Sequence, residues 1–317
     1  MMTSQTDKVV VVGAGMVGST FAYALQLHGA ARQIVLIDAD RERAEAEALD
    51  LSHGAFFTPP VDVRAGDYGD CRGADIVIVC AGAKQKPGQS RMDLVGTNIG
   101  ICRSVVENVV AQTRDAILLI VTNPVDVLTR AALKFSGLPK RRVIGSGTVL
   151  DSARFRYLLS QHCRVDAHNV HSYVLGEHGD SEVVAWSITN IAGLKLDDYC
   201  RNCPHKCAKV ERDKIADRVR DSAYHIIEAK GATNFAVGLA LVKITTSILR
   251  DENSVLTVST LINGQYGIDD VCLSVPTTVN REGVDRVLSP DLSESELEGL
   301  RSSADAIRGV QQKVGLL

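Results

Sequence analysis

The hydrophobic and polar positions follow two different rhythms along the chain. Lys8 to Val12 is an unbroken β-branched run that ends in glycines, and a helical stretch follows from about Gly15 to His28. Gln33 to Ile37 repeats the run and ends at Asp38, with an Ala/Glu-rich helical stretch from Arg41 to Leu51 behind it. Ala74 to Ala81 and Ala116 to Val121 are two more short, fully apolar runs, each followed by a loop and a helical pattern. Strands that are apolar on both faces and alternate with helices predict a parallel sheet covered by helices on both sides. This pattern fills roughly the first 145 residues.

The rhythm then changes. Val149 to Gln161 and the stretches Lys209 to Glu228 and Asn234 to Leu249 read as helices, and Asn169 to Leu175 and Glu182 to Thr189 read as strands. Ser254 to Ile262 and Val271 to Val279 read as an antiparallel pair about a turn at Gly264 to Gly267. Ser293 to Val314 reads as an amphipathic closing helix, with acids in its first turn. The expected fold is α/β: a doubly wound, mostly parallel sheet over 1–146 and a second α+β domain over 147–317. No repeat or low-complexity segment is visible.

Length and composition agree with that division. The chain has 317 residues, about two domains at about 150 residues each. Apolar residues make up 45% and charged residues 23%, as in ordinary globular proteins. A formal net charge of −3 offers no broad basic surface for nucleic acid or an anionic membrane. With aromatics at only 4%, a stacking platform for single-stranded bases is not expected either. No apolar run approaches the ~18 residues of a spanning helix, and MMTSQTDK does not read as a secretory signal. Eight cysteines without such a signal read as reduced thiols, and the expected address is the cytoplasm.

Gly13-Ala14-Gly15-Met16-Val17-Gly18 directly follows the first predicted strand and opens a helix. In that context the first glycine serves a tight turn, the second a close backbone approach to a pyrophosphate, and the third helix–strand packing. The helix N-terminus turns unpaired N–H groups toward the phosphates. Asp38, at the end of the second strand and 20 residues after Gly18, suits ribose hydroxyls and repels a 2′-phosphate. NAD is therefore the expected cofactor.

His178 stands between glycines in Leu175-Gly176-Glu177-His178-Gly179-Asp180, at the end of a predicted strand. Asp151 and Arg154, at i,i+3 in a predicted helix, set a carboxylate and a guanidinium on one face. One can hold an imidazole while the other binds an anionic substrate. Asn123, in Asn123-Pro124-Val125-Asp126, supplies an amide at the C-terminal end of a sheet strand, where ligands of such sheets bind. Gly82 to Arg91 is a polar loop with two glycines and an arginine, suited to a lid.

These motifs, with GSGTVLDSARFR and LGEHGDSEV, resemble the NAD-dependent L-lactate dehydrogenases of the lactate/malate dehydrogenase superfamily, bacterial type, from about Lys8 to Gln312. The resemblance implies a Rossmann nucleotide-binding half. It implies His178 as proton donor and acceptor, Asp151 as its orienting partner, and Arg154 as the clamp on the substrate carboxylate. Arg91 would polarise the carbonyl, Asn123 would hydrogen-bond near it, and Thr233 would line the substrate pocket. Ser146 would touch the nicotinamide amide. The expected cofactor-binding set is Gly13, Gly15, Met16, Val17, Gly18, Asp38, Ala81, Gly82, Asn98, Val121, Asn123 and Ser146. A guanidinium suits the clamp because two parallel charged hydrogen bonds are worth roughly 1.5–3 kcal/mol each.

Malate dehydrogenases resemble the chain too, and meet their second substrate carboxylate with a loop arginine six positions before the one matching Arg91. Gln85 stands at that position and would leave such a carboxylate unpaired. Pyruvate and L-lactate are therefore the expected substrates, with malate or another 2-hydroxy acid as the alternative. Gln89 departs from the acid usual at its place in that loop. The resemblance to similar bacterial enzymes also implies that Arg156 and His171 meet their symmetry mates and bind fructose 1,6-bisphosphate, with an ordinary polar contact as the alternative. A homotetramer is also implied. Cys200, Cys203 and Cys207 with His205 have the residue types of a zinc shell. Reduced surface thiols are the preferred reading, and no metal is expected.

Overall fold

The computed structural model describes residues 7–83, 91–203 and 208–316. Apolar, largely β-branched or aliphatic runs form the parallel strands β1 (Lys8–Val12), β2 (Gln33–Ile37), β4 (Ile76–Val79) and β5 (Ile117–Ile120), and the mixed edge strand β3 (Asp62–Ala65) and the short β6 (Val143–Gly145) complete the set. Their order is β3-β2-β1-β4-β5-β6. The helices are α1 (Met16–His28), α2 (Arg41–His53), α3 (Arg91–Val110), α4 (Val125–Ser136), α5 (Val149–Cys163), α6 (Leu196–Asn202), α7 (Lys209–Lys230), α8 (Phe235–Leu249) and α9 (Glu294–Lys313).

Both faces of the sheet are dry, as the unbroken apolar runs require. Val9, Val11, Ile34 and Leu36 pack on one side with Phe21, Ala44, Leu241 and Ile244, and so with α1, α2 and α8. Val10, Val12, Val35 and Val77 pack on the other side with Val106, Val109 and Leu128 of α3 and α4. Helix α8 belongs to the second half of the chain yet covers the first half's sheet. It crosses α1 closely at Gly238, where a Cβ would stand 3.2 Å from Thr20, and Asn234 donates to the Thr20 hydroxyl at 2.9 Å.

The sheet does not end with the first half. A hairpin, Ser259–Asn263 with Asp269–Ser274, joins it antiparallel beside β6, pairing Ser259 with Gly145, and makes eight strands. The expected pair Ser254 to Ile262 with Val271 to Val279 is thus split. Ser254–Leu256 leaves the hairpin to pair with Thr277–Asn280 in a separate small sheet, because each long run changes sheets midway.

The strands expected at Asn169 to Leu175 and Glu182 to Thr189 are also broken. Val170–His171 pairs with Asn190–Ile191, whereas Val174–Leu175 pairs with Val183–Val184 in another sheet. Beyond Val184 the chain turns into the short 3-10 helix Trp186–Ile188, where Trp186 meets Phe155 edge-on at 4.7 Å. Helix α9 has the expected acids in its first turn and opens with a capping box: the Glu296 N–H donates to the Ser293 hydroxyl and the Ser293 N–H to the Glu296 carboxylate. No described helix is long and apolar enough to cross a membrane.

Candidate active site

The glycine-rich turn is fixed by contact rather than by propensity. Gly13 has φ +106°, and a Cβ there would lie 2.5 Å from the Ala81 backbone nitrogen. Its N–H donates to the Ile37 carbonyl at 2.7 Å. At Gly18 a Cβ would overlap the Gly13 carbonyl, so helix and turn meet directly. Gly15, at the N-cap of α1, instead faces open space, with no atom within 4 Å of where a Cβ would stand. That opening, before unpaired helix N–H groups, fits a pyrophosphate.

Asp38 follows β2 and accepts from the Ala14 N–H at 2.7 Å and the Asp40 N–H at 2.9 Å. Its carboxylate therefore braces the glycine turn and keeps lone pairs for hydroxyl donors. Asn98, buried on α3, ties together the loops after β4 and β5. It accepts from the Ala83 N–H at 2.8 Å and donates to the Asn123 carbonyl at 2.9 Å.

The catalytic candidates are brought together from distant segments. His178 Nδ1 and Asp151 Oδ2 are 2.6 Å apart, and the Arg154 guanidinium donates to Asp151 Oδ1 at 2.7 Å. One buried carboxylate thus serves both partners. Burial alone would disfavour the imidazolium, but the Asp151 charge and hydrogen bond prevail and push His178 up to about 9. Burial likewise opposes the Asp151 charge, and His178 and Arg154 overcome it, leaving the carboxyl below its ordinary range. With Nδ1 engaged by Asp151, Nε2 is the nitrogen left to exchange a proton.

Three successive residues hold the loop that carries this imidazole. Gly176 exchanges backbone hydrogen bonds with Ser274, the Glu177 N–H donates to the Ser303 hydroxyl at 2.7 Å, and the His178 N–H donates to Asp126 Oδ2 at 2.8 Å. Nearby, burial pushes the Glu182 carboxyl up to about 8, with the Asp151 charge adding to the effect.

A cavity of about 150 Å³ opens where these elements meet. Its polar wall includes Asn123, Ser146, Arg154, His178 and Thr233, and Val17 and Val121 also line it. Seven residues expected at a ligand site thus share one space. The sequence reading missed the apolar wall, which includes Leu150, Ala223, Ile227, Val237 and Leu241. Ala223/Ile227 and Val237/Leu241 are i,i+4 pairs, a spacing indistinguishable from ordinary core facing. It also gave no role to Asp126 or Glu182, although both lie within quoted motifs. Met16 is exposed at the start of α1, and Ala81 and Gly82 follow β4 beside the glycine turn. Arg91 opens α3, with its side chain outside the described atoms. Gln85 and Gln89 lie outside the described residues.

Arg156 points away from this cavity, as its offset from Arg154 predicts. It donates to the Ser172 carbonyl at 3.2 Å, lies over the Tyr173 ring, and lines a separate groove of about 450 Å³. His171 is exposed on the neighbouring short strand. The surface-thiol expectation needs correction: Cys200 and Cys203 are buried, because α6 packs Leu196 and Cys200 against α5 and α7. Cys207 and His205 lie outside the described residues. Among the described residues no group of three or more His, Cys, Asp or Glu is disposed to hold a metal ion.

Comparison with known proteins agrees with this architecture over nearly the whole chain. Residues 7–145 match the lactate/malate dehydrogenase NAD binding domain, and residues 148–314 match the alpha/beta C-terminal domain of the same family. The L-lactate dehydrogenase of Acetivibrio thermocellus is 53% identical over 304 residues, 96% of each chain. That of Thermoanaerobacter sp. (strain X514) is 52% identical, over 98% of this chain and 100% of the relative. The crystal structure of a minor L-lactate dehydrogenase from Enterococcus mundtii, in the ligands-bound form, superposes with a TM-score of 0.96 at 41% identity, covering 98% of this chain and 99% of that one. With both halves matched in order and the acid–imidazole pair closing a cavity beside the nucleotide turn, the chain belongs to the lactate/malate dehydrogenase family.

Proposed function

We propose that the chain is an NAD-dependent L-lactate dehydrogenase, interconverting pyruvate and L-lactate in the cavity that His178 and Arg154 line. The observation that carries this reading is the Asp151 carboxylate shared between His178 Nδ1 at 2.6 Å and Arg154 at 2.7 Å. Bound NAD(H) supplies hydride exchange with C2 of the 2-oxo acid. The residues that would hold it are the Gly13–Gly18 turn, Asp38, Asn98, Val121 and Ser146.

Protonated His178 donates from Nε2 to the ketone oxygen during reduction, and the neutral ring takes the hydroxyl proton during oxidation. Asp151 steers the ring and stabilises its cation. Arg154 grips the substrate carboxylate as a planar fork, and Arg91 polarises the carbonyl. Asn123 hydrogen-bonds near that oxygen. The apolar wall of Ile227 and Val237 with Thr233 suits a methyl group, and Gln85 offers no charge to a second carboxylate.

The deciding measurement is NADH consumption with pyruvate and with oxaloacetate. The expected kcat/KM ratio favours pyruvate by at least about 100-fold. A preference for oxaloacetate would instead assign a malate dehydrogenase. Repeating the assay with fructose 1,6-bisphosphate addresses an effector site at Arg156 and His171, for which a lowered KM for pyruvate is expected.

Assembly as a homotetramer is part of the same reading. Its support is the Phe56–Phe57 pair, 90% and 82% exposed, and the apolar groove beside Leu239 and Val255. Cysteines that form no disulfide among the described residues suit a cytoplasmic address, where the enzyme would reoxidise NADH in fermentative glycolysis.

A further inference from the structure

We propose that Asp126 is a positioning residue for proton exchange: its carboxylate seats the His178 loop through the backbone N–H and lends the imidazole a second negative charge. The inference rests on the reading of His178 as proton donor and acceptor.

Asp126 lies in the first turn of α4, three residues after Asn123, and is 2% exposed. Oδ2 accepts from the His178 N–H at 2.8 Å, and Oδ1 accepts from the Ser259 hydroxyl at 2.6 Å. One side chain therefore joins a helix of the first half, the inserted hairpin and the catalytic loop. An asparagine could satisfy the same N–H and the same hydroxyl. A buried ionisable group in its place is costly unless a positive charge answers it, and His178 does so.

Of the other charged and titratable groups, Glu177 on the loop and Cys272 on the hairpin act on Asp126, Arg130 acts on Cys272, and Asp151 and Glu182 act on His178. Burial raises the Asp126 carboxyl to about 6, against the stabilising Ser259 and His178 hydrogen bonds. It is thus ionised where His178 is active and becomes neutral just below. Its charge in turn helps keep His178 protonated.

The test compares wild type, Asp126→Asn, Asp126→Ala and Ser259→Ala in pH profiles of kcat/KM for pyruvate. A histidine-selective NMR titration runs alongside, with His178→Asn used to assign the His178 signal. In Asp126→Asn the alkaline limb and the His178 midpoint are expected to fall by about half a pH unit or more, the wave near pH 6 to vanish, and NADH affinity to stay unchanged. Asp126→Ala loses the N–H acceptor as well. It is expected to lose at least about ten-fold more kcat, which the asparagine variant restores.

In Ser259→Ala the wave near pH 6 is expected to move upward, because the carboxylate loses a donor. This variant decides the matter if Asp126→Asn does not fold. Limbs and His178 midpoint that coincide with wild type, in whichever of these variants folds, would overturn the inference. Failure of the wild type to reduce pyruvate would instead overturn the proposed activity, and the NMR titration would still settle whether Asp126 charges the imidazole.

Discussion

The nucleotide turn and the His178 cavity lie close together but are built on opposite principles. The turn works by shape: glycines leave room, backbone atoms touch, and the side chain of Asp38 braces the turn through two N–H groups. The cavity works by charge: Asp151 holds the imidazole, Asp126 holds its backbone N–H, Glu182 is electrostatically linked to both His178 and Asp151, and each acid departs from its ordinary titration range. The first region should therefore be sensitive to added volume and the second to altered charge at constant volume.

The largest effect separates the two. His178→Gln keeps much of the side-chain volume and removes the exchangeable proton, so kcat for pyruvate is expected to fall about 10²–10⁴-fold. NADH affinity, measured by fluorescence titration, should stay near wild type. A comparable loss of NADH affinity would show that the regions are not separable. In wild type, pyruvate reduction should decline as pH rises through about 9, while lactate oxidation gains over the same range.

A smaller effect comes from one added methyl group. Gly13→Ala places a Cβ 2.5 Å from the Ala81 nitrogen at φ +106°, a strain on the order of 1–3 kcal/mol. The expected result is a lower Tm and roughly ten-fold weaker NADH binding, with the pH profile unmoved. A shifted pH profile would contradict the separation.

The smallest effect concerns Glu182. Its native value of about 8 lies above the ordinary 4.5, so the folded chain holds a proton that the unfolded chain has released. Stability therefore falls as pH rises from about 4.5 to about 8. Glu182→Gln removes that loss, and its Tm advantage over wild type should grow from pH 5 to pH 8, by a few degrees. An advantage independent of pH would mean that the carboxyl is not held protonated.

The same contrast explains what could be read from the residues alone. The first half is legible because its signals are local: a strand, a glycine turn and a helix follow one another within Lys8 to His28, and Asp38 ends the next strand. The pairing of His178 with Asp151 spans 27 residues, and that of Asp126 with Ser259 spans 133. No periodicity encodes such distances, and the former was anticipated through family resemblance. The misread strands share one cause, since a run that changes sheets midway leaves the same apolar pattern as one continuous strand.

The hairpin that completes the sheet also limits how the molecule can be taken apart. Severing the chain between Gly145 and Thr148 would not release two self-sufficient fragments. The C-terminal piece would carry Ser259–Asn263 as a bare strand edge and α8 as an uncovered apolar ridge, whereas the N-terminal piece would lose the lid over Phe21. Fragments made this way are expected to be sticky apart and to complement one another when mixed.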